Sequence, residues 1–403
     1  MKRMAALLIL LFLLPGLKGK DLIELVESVP RETMLDNADI RNTQEVWLEM
    51  IRSAKKTLDF GEFYISHQEG EALTPVLEAV YLAADRGVKV RFVVDGNMYK
   101  TYPGTADKLN EHRNIDVRVY DLSRITGGVL HAKYFIVDGN EVFLGSQNFD
   151  WRALDHIHEL GIRIRNRELA GFYRELFEMD WALAAKGADT DGLLSGIESS
   201  EDLRAFRVNL KEYGEVGLIP TASNPKIIYH VPNWDETQLA GMIGSAERSV
   251  RIQLLSYKPL SGKELYSELD LALRRAAARG VKIEMILSDW NYASPGIDYI
   301  KSLHAIPNIE IRFSTIPDYS GGYIGYARVE HCKYMVVDSK TTWIGTSNWS
   351  KSYFHNGRNL GIVLENGPLS ERVSQIFIKS WESGYCRPVE LNKAYQTKVI
   401  EEQ

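Results

Sequence analysis

Two stretches of this chain carry the same reactive side chains in the same order. His131-Ala-Lys133-Tyr-Phe-Ile-Val-Asp138 is matched 200 positions later by His331-Cys-Lys333-Tyr-Met-Val-Val-Asp338. Each continues into a matching tail, Gly145-Ser-Gln-Asn148 and Gly345-Thr-Ser-Asn348. A lone histidine near a lysine is commonplace, but a whole cassette repeated in register is not. Brought face to face, the two copies supply two imidazoles, two ammonium groups and two amides. That set suits a phosphodiester. One imidazole attacks phosphorus and the other protonates the leaving oxygen, then deprotonates the water that hydrolyses the intermediate. Lys133, Lys333, Asn148 and Asn348 donate to the non-bridging oxygens as negative charge grows there. The lysines supply the positive charge, so the chemistry calls for no metal and no cofactor.

Spacing says how the cassette is built. His131 and Lys133 are two apart, so on a strand both point to one face. Asp138 has the opposite parity and opens a turn, Asp138-Gly139-Asn140, as Asp338 does before Ser339-Lys340. Both aspartates therefore enter the candidate set as turn and hydrogen-bond support. A return strand from Val142 to Asn148 brings the amide back toward His131. Glu159 lies 28 residues after His131, where the second copy has Asn359. A carboxylate against one imidazole nitrogen stabilises a phospho-imidazolium. On that ground Glu159 is expected to orient His131 as nucleophile, leaving His331 as general acid. The candidate set is thus His131, Lys133, Asp138, Asn148, Glu159, His331, Lys333, Asp338 and Asn348. Cys332 has the parity opposite to His331 and reads as a buried small residue. The remaining histidines have no cassette around them and read as structural or solvated.

The duplication extends to the elements that must carry these cassettes. In each half an amphipathic helix ends in Gly87 or Gly280, with apolar residues at three- and four-residue steps from Leu73 to Arg86 and from Lys263 to Arg279. Each is followed by a strand, Val88–Asp95 or Val281–Asp289, and later by a second, Ile115–Tyr120 or Ile309–Phe313. Strand, helix, strand, repeated, predicts an α/β fold of two pseudo-symmetric halves, with mixed, mostly parallel sheets packed around one shared site. The halves are expected over residues 20–200 and 201–403, joined through a Gly-, Ser- and acid-rich stretch at 186–215.

The 403 residues carry a net charge of −6, which excludes a strongly basic nucleic-acid-coating surface but not a local cationic pocket. Residues 1–19 read as a signal peptide: Lys2 and Arg3, an apolar run from Met4 to Leu14 too short to span a bilayer, then Pro15 and Gly16. The expected location is periplasmic or secreted, or a lysosome-like lumen in a eukaryote. Two cysteines, Cys332 and Cys386, leave pairing open and exclude a cysteine-based zinc framework.

The duplicated His-x-Lys-x4-Asp motif resembles that of the phospholipase D superfamily. The resemblance implies αβαβα architecture, one shared site and a metal-free phospho-histidine route. Leu25–Pro30, Gly128–His131, Asn148-Phe-Asp-Trp-Arg152, Ala327–His331 and Ile344–Ser350 resemble the subgroup of lysosomal 5′-exonucleases and poxvirus envelope phospholipase-like proteins. This subgroup implies single-stranded nucleic acid as substrate. Tyr99, Tyr102, Trp290, Tyr292, Tyr319, Tyr323 and Tyr326 sit in loops expected to overlook the site, where bases could stack. The rival substrate is a phospholipid, in a phospholipase or phosphatidyltransferase. No amphipathic membrane-docking helix stands out in the sequence, and a homodimer is left open.

Overall fold

The computed structural model describes residues 21–261, 264–293 and 295–398. The signal-peptide reading falls on residues outside that set, as does Lys263. Two large mixed sheets are present among the described residues. The first runs, edge to edge, Arg41–Asn42, Leu22–Ser28, Glu159–Arg165, Glu141–Gly145, Lys133–Val137, Thr57–Glu62, Lys89–Asp95 and Ile115–Tyr120. The second runs Phe206–Leu210, Gly214–Ser223, Asn359–Glu365, Thr341–Gly345, Lys333–Val337, Ser249–Leu254, Lys282–Ser288, Ile309–Ser314 and Cys386–Pro388. The order of the central seven strands is the same in both.

The sheets are mixed, but antiparallel pairing predominates over the parallel pairing expected. Parallel contacts join Thr57–Glu62 to Lys89–Asp95 and on to Ile115–Tyr120, with one more short pair at the opposite edge. The large second-sheet counterparts are likewise parallel. These are the strand–helix–strand units visible in the sequence. Each cassette hairpin adds antiparallel, because a three-residue turn permits nothing else, and the strand that follows pairs antiparallel with the hairpin after a longer connection.

Helices Thr43–Ser53 and Thr74–Asp85 cover the outer face of the first sheet, and Asp235–Ser245 and Glu268–Ala278 that of the second. Glu268 is a later start than the periodicity suggests. Between the sheets lie Arg167–Leu183 and Gly367–Glu382, capped alike by Asn166 and Asn366, whose side chains accept from the Leu169 and Leu369 amides. Their apolar faces share one core. Ala132, Leu144 and Ile162 of the first sheet and Tyr334, Ile344 and Ile362 of the second belong to a single buried cluster with Phe177 and Phe377. Neither half could leave the other without exposing that cluster to water.

Two short parallel bridges stitch the halves together. The His131 amide donates to the Arg358 carbonyl at 2.8 Å, and the Arg358 amide to Val129 at 2.9 Å. Related by the pseudo-symmetry, the His331 amide donates to the His158 carbonyl and the His158 amide to Val329, each at 3.0 Å. The approach is close enough to demand a glycine. A Cβ on Gly128 would lie 2.2 Å from the Asn356 carbonyl oxygen.

Candidate active site

The cassette hairpins are Lys133–Val137 paired with Glu141–Gly145, and Lys333–Val337 paired with Thr341–Gly345. His131 and His331 stand just before the first strand of each, close to the bridges between halves. A bridge at Leu130–Arg358 sets the next residues, His131 and Asn359, side by side. The bridge at Glu330–His158 does the same for His331 and Glu159. The outcome reverses the expected pairing. His331 Nδ1 meets both carboxylate oxygens of Glu159 at 2.8 and 2.9 Å, and His131 Nδ1 meets Asn359 Oδ1 at 3.0 Å. Glu159 therefore orients the histidine of the other half, not His131. The 28-residue offset correctly marked both orienting positions, yet it is blind to how the halves dock.

The tails of the cassettes support these orienters. Thr346 Oγ1 donates to Asn359 Oδ1 at 3.1 Å, and the Ser146 hydroxyl contacts Glu159. The Asn359 amide is turned by donating Nδ2 to the Tyr353 carbonyl at 2.9 Å, which leaves Oδ1 facing the imidazole. His131 Nδ1 must then carry the proton, so Nε2 presents its lone pair.

Lys133 and Lys333 are fully buried, and each Nζ donates to the carbonyl of its own cassette histidine, at 2.7 and 2.5 Å. The two lysines and two imidazoles lie within one field. Burial first, then repulsion from Lys133 and Lys333, holds His131 well below the usual imidazole range. His331 is driven well below the same range by burial, by both lysines and by His131, while its Nδ1 rests on Glu159. Burial also lowers Lys133 well below the usual ammonium range and Lys333 to about 8. The foremost countercharges are two carboxyls of the first half, with Asp95 also acting on Lys133 and Glu330 of the second half on Lys333. Glu62 pairs across the sheet with Lys133, and Glu159 acts on Lys333. Burial pushes both carboxyls up. The corresponding cross-strand neighbour of Lys333 is Leu254.

Asn148 and Asn348 are buried at the same place. Asn148 Nδ2 donates to the Tyr64 hydroxyl at 3.3 Å, Asn348 contacts Tyr353, and both Oδ1 atoms are buried without a partner. Phe63 and Tyr353 wall the His131 ring edge-on at 4.8 and 4.7 Å. No signal in the cassette pointed to Glu62, Phe63 or Tyr64, at and just after a strand end, or to Tyr353 in the short helix Lys351–His355, whose approach only the fold decides.

Asp138 and Asp338 belong elsewhere. Each sits five residues beyond its lysine along the strand, roughly 16 Å away. Asp138 accepts from the amides of Lys55, Lys56 and Thr57, and Asp338 from those of Glu247, Arg248 and Ser249. Both adopt positive φ, 51° and 54°, as the turn requires. They join the hairpin to the loop after the first helix of each half and touch nothing in the reaction centre.

Cys332 and Cys386 are free and buried. Burial raises the Cys332 thiol well above its usual range and Cys386 to about 12, so neither is a nucleophile. Of the seven loop aromatics, Tyr102, Tyr319 and Tyr323 line a common cleft. Tyr99 instead binds Asp107, and Tyr292 packs on Phe313.

The family described as cardiolipin synthase, PLD-like domain, matches residues 47–181 and 239–381, one segment around each cassette. The chain is 31% identical to the 5′-3′ exonuclease of Rattus norvegicus, covering 90% of this chain and 79% of that protein. It is 29% identical to phospholipase D Z of Dictyostelium discoideum (91% and 90% covered) and 30% to the virion nicking-joining enzyme of vaccinia virus (90% and 88%). A phosphatidylserine synthase structure from Haemophilus influenzae superposes with a TM-score of 0.63 at 13% identity, over 86% of this chain and 85% of the other, a likeness of fold. The chain belongs to the phospholipase D superfamily. It is a phosphodiester hydrolase of that class.

Proposed function

We propose that the protein cleaves phosphodiesters through a covalent phospho-histidine, with His131 as nucleophile and His331 as general acid, and that its substrate is single-stranded nucleic acid taken from the 5′ end. The observation that carries the assignment of roles is the crossed pairing. Asn359 fixes His131 as a neutral imidazole with Nε2 free. Glu159 gives His331 the countercharge that an imidazolium needs before it can donate a proton. The crossed geometry removes the expected carboxylate behind the nucleophile and substitutes a tautomer argument for it.

His131 Nε2 forms a bond to phosphorus while the bond from phosphorus to the leaving oxygen breaks, and that oxygen takes the proton of His331. Neutral His331 then removes a proton from water, whose oxygen attacks phosphorus and expels His131. Lys133, Lys333 and the amides of Asn148 and Asn348 receive the non-bridging oxygens in both steps. The route needs no metal, because the buried ammonium groups occupy the role a cation would have.

The exonuclease and nicking-joining relatives favour a nucleic acid. The phospholipase relative keeps a lipid as the second reading. Purified protein incubated with a 5′-hydroxyl single-stranded oligonucleotide and, separately, with phosphatidylcholine distinguishes them. Oligonucleotide shortening is expected, and lipid turnover without it would refute the preference. We further infer export through residues 1–19 and a division at about residue 200. A mature N-terminus beginning at Met1 would count against export.

A further inference from the structure

One cleft next to the reaction centre is not used by the mechanism. It has a volume of about 510 Å³ and lies between the halves, with Arg31, Tyr102, Trp151 and His156 on one side and the Tyr319–Ile324 loop on the other. It shares a wall with the candidate site. Tyr102 stacks on Tyr64 at 5.0 Å, Tyr64 accepts from Asn148, and Phe63 sits edge-on to both Tyr64 (5.5 Å) and His131 (4.8 Å). The rings of Tyr102, Tyr64 and Phe63 thus form a continuous wall running from the cleft to the nucleophile.

Its lining is aromatic and polar at once. His156 is 2% exposed and clamped edge-on between Trp151 (5.7 Å) and Tyr319 (4.9 Å), yet its Nδ1 has no hydrogen-bond partner. An unpaired ring nitrogen at that depth is costly unless something entering the cleft meets it. Burial keeps this imidazole below its ordinary range, hence neutral, with one donor and one acceptor. Arg152 is locked in place behind the aromatic wall, its Nε and Nη2 on Asp150, its Nη1 on the Gly325 carbonyl and its Cζ about 6 Å from the Tyr102 and Trp151 rings. Arg31 is tied to Asp155, but half of its side chain remains exposed at the rim.

We propose that this cleft receives the nucleoside adjoining the scissile phosphate, its base against the rings of Tyr102, Trp151 and Tyr319 and its polar edge on His156. The proposal rests on the nuclease reading and adds the subsite that reads the nucleotide. A base offers a flat π-face and hydrogen-bonding edge together, which is what this wall complements. Acyl chains would lie against the polar side chains of Arg31, His67, Gln68, Glu71 and His156 and would leave His156 Nδ1 unpaired. Arg31 at the rim then faces the next phosphate along the strand.

The test compares kcat/KM on a 5′-hydroxyl single-stranded oligonucleotide with kcat/KM on bis(p-nitrophenyl) phosphate, which carries no base. Tyr319→Ala and His156→Asn are each expected to lower the oligonucleotide-to-diester ratio about tenfold or more. Wild-type enzyme should discriminate similarly against an oligonucleotide whose terminal nucleotide is abasic, and Tyr319→Ala should add little to that loss. A ratio within twofold of wild type in both variants overturns the proposal, as does equal cleavage of abasic and complete ends. Parallel loss on short-chain phosphatidylcholine assigns the cleft to lipid and also overturns it. Turnover of the small diester by wild type with no oligonucleotide cleavage would instead defeat the nuclease reading, and this subsite with it.

Discussion

The two cassettes carry the same His, Lys, Asp and Asn in the same register, but their surroundings differ. His331 leans on the carboxylate of Glu159, whereas His131 leans on the neutral amide of Asn359. Lys133 faces Glu62 across the sheet, whereas Lys333 faces Leu254. A duplicated unit supplies two chemically equal histidines, and hydrolysis through a covalent intermediate needs two unequal ones. The inequality is introduced at positions outside the cassettes and delivered across the interface between halves. Since each half orients the other's histidine, neither half alone holds a prepared imidazole.

The largest effect expected is removal of either imidazole. His131→Ala and His331→Ala should each lower kcat by at least about 10⁴-fold, the scale on which members of one catalytic unit fail together. They should then differ. With a p-nitrophenyl leaving group, which departs without protonation, His331→Ala should accumulate phosphate on His131, detectable by mass spectrometry after rapid quenching. Phosphate found on His331 of the wild-type enzyme would reverse the roles.

Exchanging the orienting groups sharpens the comparison at about 10- to 100-fold in kcat/KM. In the proposed roles His131 attacks as the neutral imidazole, and burial with the lysines depresses its pKa, so the acid limb of the pH–rate profile should lie below the ordinary histidine range. Asn359→Asp places a negative charge on Nδ1, raises that pKa and should move the acid limb to higher pH. In the proposed roles His331 must be protonated to act, and because burial and the lysines depress its pKa as well, the alkaline limb should also lie at low pH. Glu159→Gln removes its countercharge, lowers its pKa and should move the alkaline limb to lower pH. Opposite limbs must respond, and a shift of the same limb in both variants would defeat the assignment. Against these, EDTA is expected to change kcat/KM less than about twofold, because ammonium groups carry the charge that a metal would supply. Strong inhibition that added divalent cation reverses would contradict the metal-free route.

What could be read from the sequence was what is local. His131 and Lys133, and the turns at Asp138 and Asp338, follow from strand parity and turn chemistry within 10 residues. The helices and parallel strands follow from periodicity. The crossed pairs His131–Asn359 and His331–Glu159 span 228 and 172 residues and depend on two backbone bridges between halves that no local pattern encodes. The predominance of antiparallel pairing was hidden for a related reason. Leu22–Ser28 and Gly214–Ser223 join their sheets beside strands far along the chain, at Glu159–Arg165 and Asn359–Glu365. His156 was passed over because its copy in the other half is not a histidine, and repetition was the signal in use.

The smallest effects expected fall on stability, and they ask whether the two aspartates are as alike as the imidazoles are unlike. Each holds three backbone amides at the far end of its hairpin, so Asp138→Ala and Asp338→Ala should each destabilise by about 1–3 kcal/mol through amides left without an acceptor. For a chain of this size that is a fall of a few degrees in Tm, with kcat on folded enzyme little changed. The Asp338 carboxyl also has a testable pH signature. Burial opposes its charge, but the three amides and Arg248 together draw its pKa below 3.8. A depressed carboxylate contributes its full stabilisation above the unfolded value and loses it as pH falls through the folded one. The Tm gap between wild type and Asp338→Ala should accordingly be constant from pH 7 to about pH 5 and close only below about pH 4. A gap that closes near neutrality would mean that a histidine, not this carboxylate, governs the hairpin. A loss of kcat at full folding in either variant would bring the aspartates back into the reaction centre.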